Sequence, residues 1–119
     1  MIKAVIFDMF ETLITHYRSP LYFGSEMAKD AGISYENFQK IWRATDLQRT
    51  LGELSFADVI KQILLENNVF SLELLQKIVS KRTATKVELF NNLEEQILPM
   101  LNQLHKLNVK IGLISNCYD

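Results

Sequence analysis

The stretch of sequence that decides the fold spans residues 2–13 and reads IKAVIFDMFETL. Its first half is mostly apolar, includes β-branched and aromatic side chains, and shows little alternation between apolar and polar positions. This pattern is typical of a parallel strand that is covered on both faces of its sheet. Asp8 follows directly, so the sequence predicts a buried strand over residues 2–7 that delivers a carboxylate into a turn.

A second stretch of this kind, residues 109–114, reads VKIGLI and is followed by Ser115 and Asn116. We expect a second buried strand, parallel to the first and joined to it by a right-handed connection. Ligands of open α/β sheets bind at the carboxyl ends of parallel strands. The pattern therefore predicts that a carboxylate, a hydroxyl and an amide lie where a ligand enters.

Between the two strands, the spacing of apolar residues predicts a small bundle of amphipathic helices. Ser19 and Pro20 suit the start of the first helix, and Gly32 suits its end. Ser34 is expected to begin a second helix that continues to about Gly52.

Two further helices complete the predicted bundle. Ser55 and Asp58 approximate a capping box in front of the third helix, and Ser71 is expected to begin a fourth that continues toward Phe90. A return helix with Pro99 in its first turn then leads to the second strand.

The composition limits the classes of function that fit the chain. It has 119 residues, 48% of them hydrophobic, and a formal net charge of −1, which suits a folded domain. Because there is no basic stripe, nucleic acid is a poor candidate partner. The apolar run before Asp8 is far shorter than the roughly 20 residues of a membrane helix, so no membrane partner is expected. The single cysteine, Cys117, cannot form an internal disulfide, and we expect a cytoplasmic protein.

The order of strand, Asp8, Thr12, helices, strand, Ser115 and Asn116 resembles the first half of enzymes of the haloacid dehalogenase (HAD) superfamily of hydrolases. The two strand ends are similar to that family's motifs I and II. The resemblance implies an α/β fold, with a partial Rossmann-like core of parallel strands and an inserted cap that is an α-helical bundle.

The resemblance also divides the chain into segments. Residues 1–18 correspond to the first strand and nucleophile loop of the core, residues 19–90 to the helical cap, and residues 91–119 to the return helix and second core strand. The family's motifs III and IV have no counterpart in the sequence. We therefore expect the chain to stop before them and to be inactive alone.

Each candidate site residue takes its role from the resemblance. Asp8 matches the nucleophile, which forms a covalent aspartyl intermediate. Thr12 matches the threonine that supports the nucleophile loop. Ser115, with Asn116 beside it, matches the hydroxyl that binds the transferred phosphoryl group or the substrate carboxylate. Arg18 lies where dehalogenases similar to this family bind a substrate carboxylate through an arginine fork.

The main departure from the family pattern is Phe10, which stands where phosphatases of the family carry the aspartate that protonates the leaving oxygen. General acid catalysis contributes about 10²–10⁴-fold, so ordinary phosphomonoester hydrolysis should suffer. Three alternatives stay open: a halide leaving group, a weakly basic phosphate leaving group, or a proton from Glu11. Phosphotransfer would use Mg²⁺, held by the Asp8 carboxylate and the Phe10 backbone carbonyl, whereas a dehalogenase needs no cofactor.

The sequence thus predicts a HAD-like hydrolase that acts on a small phosphorylated or halogenated molecule. The alternative is a non-catalytic module for binding or oligomerisation, because the open edges of two strands invite pairing, for example in a homodimer. A receiver-type phospho-accepting aspartate fits less well, since the long helical insertion does not resemble that fold. Among other side chains, His16 is expected in a solvated loop, whereas Phe38 and Trp42 are expected to pack inside the cap. Cys117 has no histidine placed to activate it.

Overall fold

A computed structural model of the protein describes residues 1–116, and Cys117 therefore lies outside the described residues. The described part is mixed α/β and mostly helical, with strands β1 (Ala4–Phe7) and β2 (Lys110–Leu113) at its two ends. The helices are α1 (Gly24–Ala31), α2 (Tyr35–Ala44), α3 (Asp46–Thr50), α4 (Phe56–Glu66), α5 (Leu72–Asn91) and α6 (Ile97–Lys106). Within residues 1–116, no helix has both the length and the apolar character needed to cross a bilayer.

The chain divides into two compact units by its internal contacts. The sheet unit consists of residues 1–20 and 86–116, and it contains both strands, α6 and a short 3₁₀ helix at His16–Arg18. The helical unit consists of residues 21–85 and contains α1 to α4. Helix α5 begins in the helical unit and ends in the sheet unit.

The strands β1 and β2 pair in parallel, as the sequence predicts, with Phe7 opposite Leu113. Helix α6 packs against β2. The expected coverage of both faces is wrong for the described residues, because Ile6 is 63% exposed and Leu113 is 48% exposed. The physical reason is the size of the sheet: its two strands offer too small a surface to enclose their own apolar side chains.

The first helix begins later than the sequence pattern predicts. Helix α1 starts at Gly24, because the Glu26 carboxylate accepts a hydrogen bond from the backbone N–H of Phe23 (2.9 Å) and caps the helix there. Ser19 has a different role, since its hydroxyl accepts a hydrogen bond from Asn92 Nδ2 (3.0 Å). The predicted end is confirmed, with Gly32 in the left-handed conformation (φ 69°) that glycine adopts at low cost.

The second predicted helix is two helices, because the chain leaves helical geometry at Thr45 (ψ 6°). The Thr45 hydroxyl donates to the carbonyl oxygens of Ile41 (3.0 Å) and Trp42 (3.2 Å). Such side-chain bonds compete with continuation of the helix. The predicted N-caps at Ser34 and Ser55 are confirmed, since each hydroxyl accepts from the backbone N–H three residues later.

The core of the helical unit is formed by apolar faces of its helices. Its fully buried side chains are Phe38, Val59, Ile60, Ile63, Leu64 and Ile78. Trp42 packs against this core, with its ring 5.7 Å from that of Phe38. The expectation that Phe38 and Trp42 pack inside the helical region is confirmed.

Candidate functional site

An open pocket of about 380 Å³ lies in the sheet unit where the two strands end. Because β1 and β2 are parallel and in register, the segments that follow Phe7 and Leu113 leave the sheet side by side. The pocket is lined by Asp8, Phe10, Ile114, Ser115 and Asn116. Four of the predicted site residues are therefore brought together.

Asp8 is exposed at the start of the turn after β1. Its Oδ1 accepts a hydrogen bond from the backbone N–H of Met9 (2.8 Å). This bond orients the carboxylate relative to the end of the strand, which is what a nucleophile attached to a rigid element requires.

Ser115 is anchored by the sheet, since the neighbouring Ile114 N–H donates to the Phe7 carbonyl oxygen (2.9 Å). The Ser115 Oγ is buried and has no hydrogen-bond partner among the residues that the structure describes. Leaving a buried polar group unpaired costs about 1–3 kcal/mol. An unpaired hydroxyl in the wall of a pocket is therefore a candidate for hydrogen bonding to a ligand.

The loop after Asp8 is held by its own backbone. The Met9 carbonyl oxygen accepts hydrogen bonds from the N–H groups of Thr12 (3.3 Å), Leu13 (2.8 Å) and Ile14 (3.1 Å). Glu11 stands inside this loop with a φ of 57°, in the left-handed region that side chains other than glycine rarely adopt. Its N–H donates to the Ile14 carbonyl oxygen at 2.6 Å.

The Glu11 carboxylate accepts hydrogen bonds from the Thr15 hydroxyl (2.7 Å) and the His16 backbone N–H (3.0 Å), and it lies 2.9 Å from His16 Nδ1. The hydrogen bond from the His16 backbone is the largest cause that lowers the pKa of Glu11, with smaller effects from the Thr15 and His16 side chains. A carboxyl group with a lowered pKa stays ionised, so Glu11 is a poor source for the proton of a leaving group.

His16 is not solvated as the sequence suggests, because its side chain is 18% exposed. Its ring stacks on that of Phe10, with centroids 5.1 Å apart and planes 18° apart. The contacts of Glu11, Thr15 and His16 were missed by sequence reasoning. The sequence offered only a weak signal for them, namely four polar side chains (Glu11, Thr12, Thr15 and His16) within the eight residues 9–16.

Two predicted site residues do not line the Asp8 pocket. Thr12 lies in a separate pocket of about 230 Å³, whose lining includes Glu94 and Ile97. Arg18 Nη1 donates to the carbonyl oxygen of Leu93 at 3.4 Å.

The oxygen atoms expected to hold Mg²⁺ belong to residues of one pocket, Asp8 and Phe10. Carboxylate and carbonyl oxygens suit this hard cation, which commonly keeps several waters and binds substrate phosphate. Within residues 1–116, no cluster of three or more His, Cys, Asp or Glu side chains could hold a metal ion. The donor set fits Mg²⁺ only if water and ligand complete the coordination.

The pocket combines a carboxylate with a hydroxyl, an amide and two apolar side chains. These groups can bind an oxyanion and present a nucleophile to it.

Comparison of the chain with protein-family models, curated proteins and solved structures found no match.

Proposed function

We propose that the protein is a HAD-like hydrolase that uses Asp8 as its nucleophile on a small phosphorylated or halogenated molecule. The observation that carries this proposal is the position of Asp8 and Ser115 in one pocket, where the Ser115 hydroxyl is buried and has no hydrogen-bond partner within residues 1–116. The likeness of the two strand ends to motifs I and II supports the same assignment. The sheet unit then belongs to a partial Rossmann-like core, and residues 19–90 act as its helical cap.

In the proposed reaction, a carboxylate oxygen of Asp8 attacks the phosphorus atom, or the carbon atom that carries the halogen. The bond to the leaving group breaks, and the leaving group departs with the electron pair. Ser115 donates a hydrogen bond to an anionic oxygen of the substrate, with the Asn116 amide beside it. Water then hydrolyses the aspartyl intermediate and regenerates the carboxylate.

The proposed leaving group is one that departs without a proton. Phe10 has no proton to donate, and Glu11 is held ionised by its hydrogen bonds to Thr15 and His16. This combination favours a halide, or a weakly basic group such as the carboxylate of an acyl phosphate, over the alkoxide of an ordinary ester. Glu11 is therefore not the proton donor of the proposed reaction.

For phosphoryl transfer, the Asp8 carboxylate and the Phe10 backbone carbonyl would hold Mg²⁺. The bound cation supplies positive charge that reduces the repulsion between Asp8 and the phosphate. A dehalogenase reaction requires no cofactor, so the dependence on Mg²⁺ separates the two chemistries.

The test is to incubate the chain with a phosphate ester, an acyl phosphate and a 2-haloacid, each with and without Mg²⁺. Release of product and an added mass on the peptide that contains Asp8 are measured together. We expect one substrate class to give the added mass on Asp8 even where no product release is detected, Asp8→Asn to abolish it, and Ser115→Ala to lower its rate of formation about 10²–10³-fold.

The matched control is Glu36→Gln, which removes an exposed carboxylate of α2 in the helical unit and should leave both signals unchanged. Turnover that survives Asp8→Asn would contradict the proposal. So would the absence of an added mass on Asp8 with every substrate class.

A second candidate function is a non-catalytic module that pairs with a second copy of the chain. The observation that favours it is the exposure of apolar side chains on both faces of the sheet, including Ile6 (63%) and Ile111 (44%). Strand edges that lie beside exposed apolar side chains readily pair with another strand.

A further inference from the structure

We infer that the Asp8 pocket takes an oxyanion that carries an apolar group, and that Glu11 is a positioning residue that keeps Phe10 in place for that group. This inference rests on the proposed function, because it assumes that the pocket binds the oxyanion of the substrate. It adds a class of substrate to the proposed function. It also gives Glu11 a role outside the chemical steps of the proposed reaction.

The pocket has walls of two kinds. Asp8, Ser115 and Asn116 provide polar groups, whereas Phe10 and Ile114 provide apolar ones. Ile114 is 71% exposed, so a ligand that covers it removes apolar surface from water. A ligand that satisfies both walls has an anionic end and an apolar end.

The Phe10 wall has a support behind it. The His16 ring lies nearly parallel to the Phe10 ring, at a centroid distance of 5.1 Å. His16 is itself held twice by Glu11, through its backbone N–H (3.0 Å) and through Nδ1 (2.9 Å). Glu11 also accepts a hydrogen bond from the Thr15 hydroxyl (2.7 Å). We call the contacts of the Glu11 carboxylate with Thr15 and His16 the loop latch.

The backbone of Glu11 gives independent support for a functional loop. A non-glycine residue with a φ of 57° is strained, and such strain persists only where several contacts hold the backbone in that conformation. Two sets of contacts hold Glu11, namely the 2.6 Å hydrogen bond from its N–H to the Ile14 carbonyl oxygen and the loop latch. Strain of this kind clusters at ligand-binding sites.

The binding test compares two probes, inorganic phosphate and phenyl phosphate, by NMR titration of the full chain. The background is Asp8→Asn, which prevents turnover and removes the repulsion between the carboxylate and the probe. Inorganic phosphate reports on the polar wall alone, and phenyl phosphate reports on both walls. We expect phenyl phosphate to bind about tenfold more tightly.

Substitutions then locate the origin of this ratio. Phe10→Ala should reduce the ratio toward one. Glu11→Gly should do the same while the affinity for inorganic phosphate stays the same, because glycine accepts the left-handed backbone and removes only the loop latch. Glu11→Gln should restore much of the ratio, since its amide oxygen can still accept from the His16 N–H. Adding Glu11→Gly to Phe10→Ala should have no further effect if Glu11 acts through Phe10.

A spectroscopic signal checks the loop latch without any ligand. The ring protons of His16 should show upfield shifts from the stacked Phe10 ring, which Glu11→Gly abolishes and Glu11→Gln preserves. The matched control is Glu95→Gln, because Glu95 is an exposed carboxylate of the same unit that does not line the pocket of Glu11 and Thr12. It should change neither the shifts nor the affinity ratio.

The outcomes are distinguishable. Failure of both probes to bind would overturn the phosphorylated-substrate form of the proposed function and the inference with it. Binding of both probes with equal affinity would overturn the inference alone and leave the oxyanion site in place. An unchanged ratio in Glu11→Gly would overturn the positioning role of Glu11.

Discussion

Arg49 is a charged side chain that is 2% exposed within the helical unit. Its Nη2 donates to the Trp42 carbonyl oxygen (2.8 Å) and to Asp46 Oδ1 (3.1 Å), and its guanidinium lies 3.8 Å from the centre of the Trp42 ring. A carbonyl oxygen at the end of α2 is thereby satisfied, and the positive charge faces an aromatic ring. These contacts stabilise the turn between α2 and α3.

We predict that Arg49→Ala lowers the free energy of unfolding by about 2–3 kcal/mol, because it removes charged hydrogen bonds and a cation–π contact. The measurement is urea denaturation followed by circular dichroism. The control is Arg43→Ala on the exposed side of α2, where a surface substitution should change the stability by less than about 0.5 kcal/mol. Equal effects of the two substitutions would contradict this role for Arg49.

Asp30 connects α1 to α5 within the helical unit, since its Oδ2 accepts hydrogen bonds from Lys81 Nζ (2.7 Å) and the Tyr22 hydroxyl (2.8 Å). The bond from Lys81 is the largest cause that lowers the pKa of Asp30, while partial burial opposes it. A carboxyl whose pKa is lower in the folded state stabilises the fold above its unfolded pKa of about 3.9. That stability is lost as the pH falls through the folded-state pKa.

We therefore predict that the midpoint temperature of thermal unfolding falls less steeply with decreasing pH below about pH 5 in Asp30→Asn than in the unsubstituted protein. Lys81→Met should weaken the dependence in the same direction. The double variant should resemble Asp30→Asn, because both substitutions remove the same interaction between Asp30 and Lys81. An acid limb that is unchanged in Asp30→Asn would show that this contact does not contribute.

The approach of Asp8 to Ser115 could be predicted from the sequence, because the carboxyl ends of parallel strands share one edge of a sheet. The contacts of Glu11 could not. They depend on a left-handed backbone at position 11, and glutamate has no intrinsic preference for that conformation. That Arg18 does not line the Asp8 pocket could not be predicted for a similar reason, because its distance from Asp8 depends on the path of the intervening loop.

At the scale of elements, the sequence located the helices more reliably than the points where they begin and break. Ser34 and Ser55 carry hydroxyls that cap the backbone locally, so their positions follow from short-range chemistry. The start of α1 depends on a cap supplied by Glu26 from inside the helix. The break at Thr45 depends on its hydroxyl donating back to the carbonyl oxygens of Ile41 and Trp42, which a threonine within an apolar helical pattern does not announce.

The end of α4 offers a prediction at the same scale. Asn68 has a φ of 58°, and the N–H groups of Asn68 and Val69 donate to the carbonyl oxygens of Leu65 (3.1 Å) and Leu64 (3.0 Å). The left-handed conformation costs most side chains about 1–2 kcal/mol. Asn68→Ala should therefore lower the free energy of unfolding by about 1 kcal/mol in chemical denaturation.

Asn68→Gly provides the contrast, since glycine adopts this conformation without a clash between Cβ and the backbone. Its stability should be at least that of the unsubstituted protein. A loss of stability in the glycine variant as large as in the alanine variant would mean that the asparagine side chain, and not its backbone conformation, matters here.

At the scale of the whole molecule, the two units differ in how well they bury their apolar residues. The helical unit encloses a contiguous core that includes Ile60, Ile63 and Ile78. In the sheet unit, the buried hydrophobic side chains are Ile14 and Leu89, while Ile6 and Ile114 are 63% and 71% exposed. The sheet unit therefore has the stronger tendency to bind another apolar or β-strand surface.

We predict that the chain self-associates through its sheet unit, with a mass in multi-angle light scattering that rises toward a dimer as the concentration increases. A second copy always presents the same strand edges, so backbone pairing and coverage of exposed side chains are available together. Ile111→Lys should favour the monomer, because Ile111 is 44% exposed in β2 and an edge lysine opposes pairing. Leu65→Lys, at a 51% exposed site of α4, should leave the dimer intact. A folded monomer at every concentration would contradict the oligomerisation alternative and leave the Asp8 hydrolase as the remaining proposal.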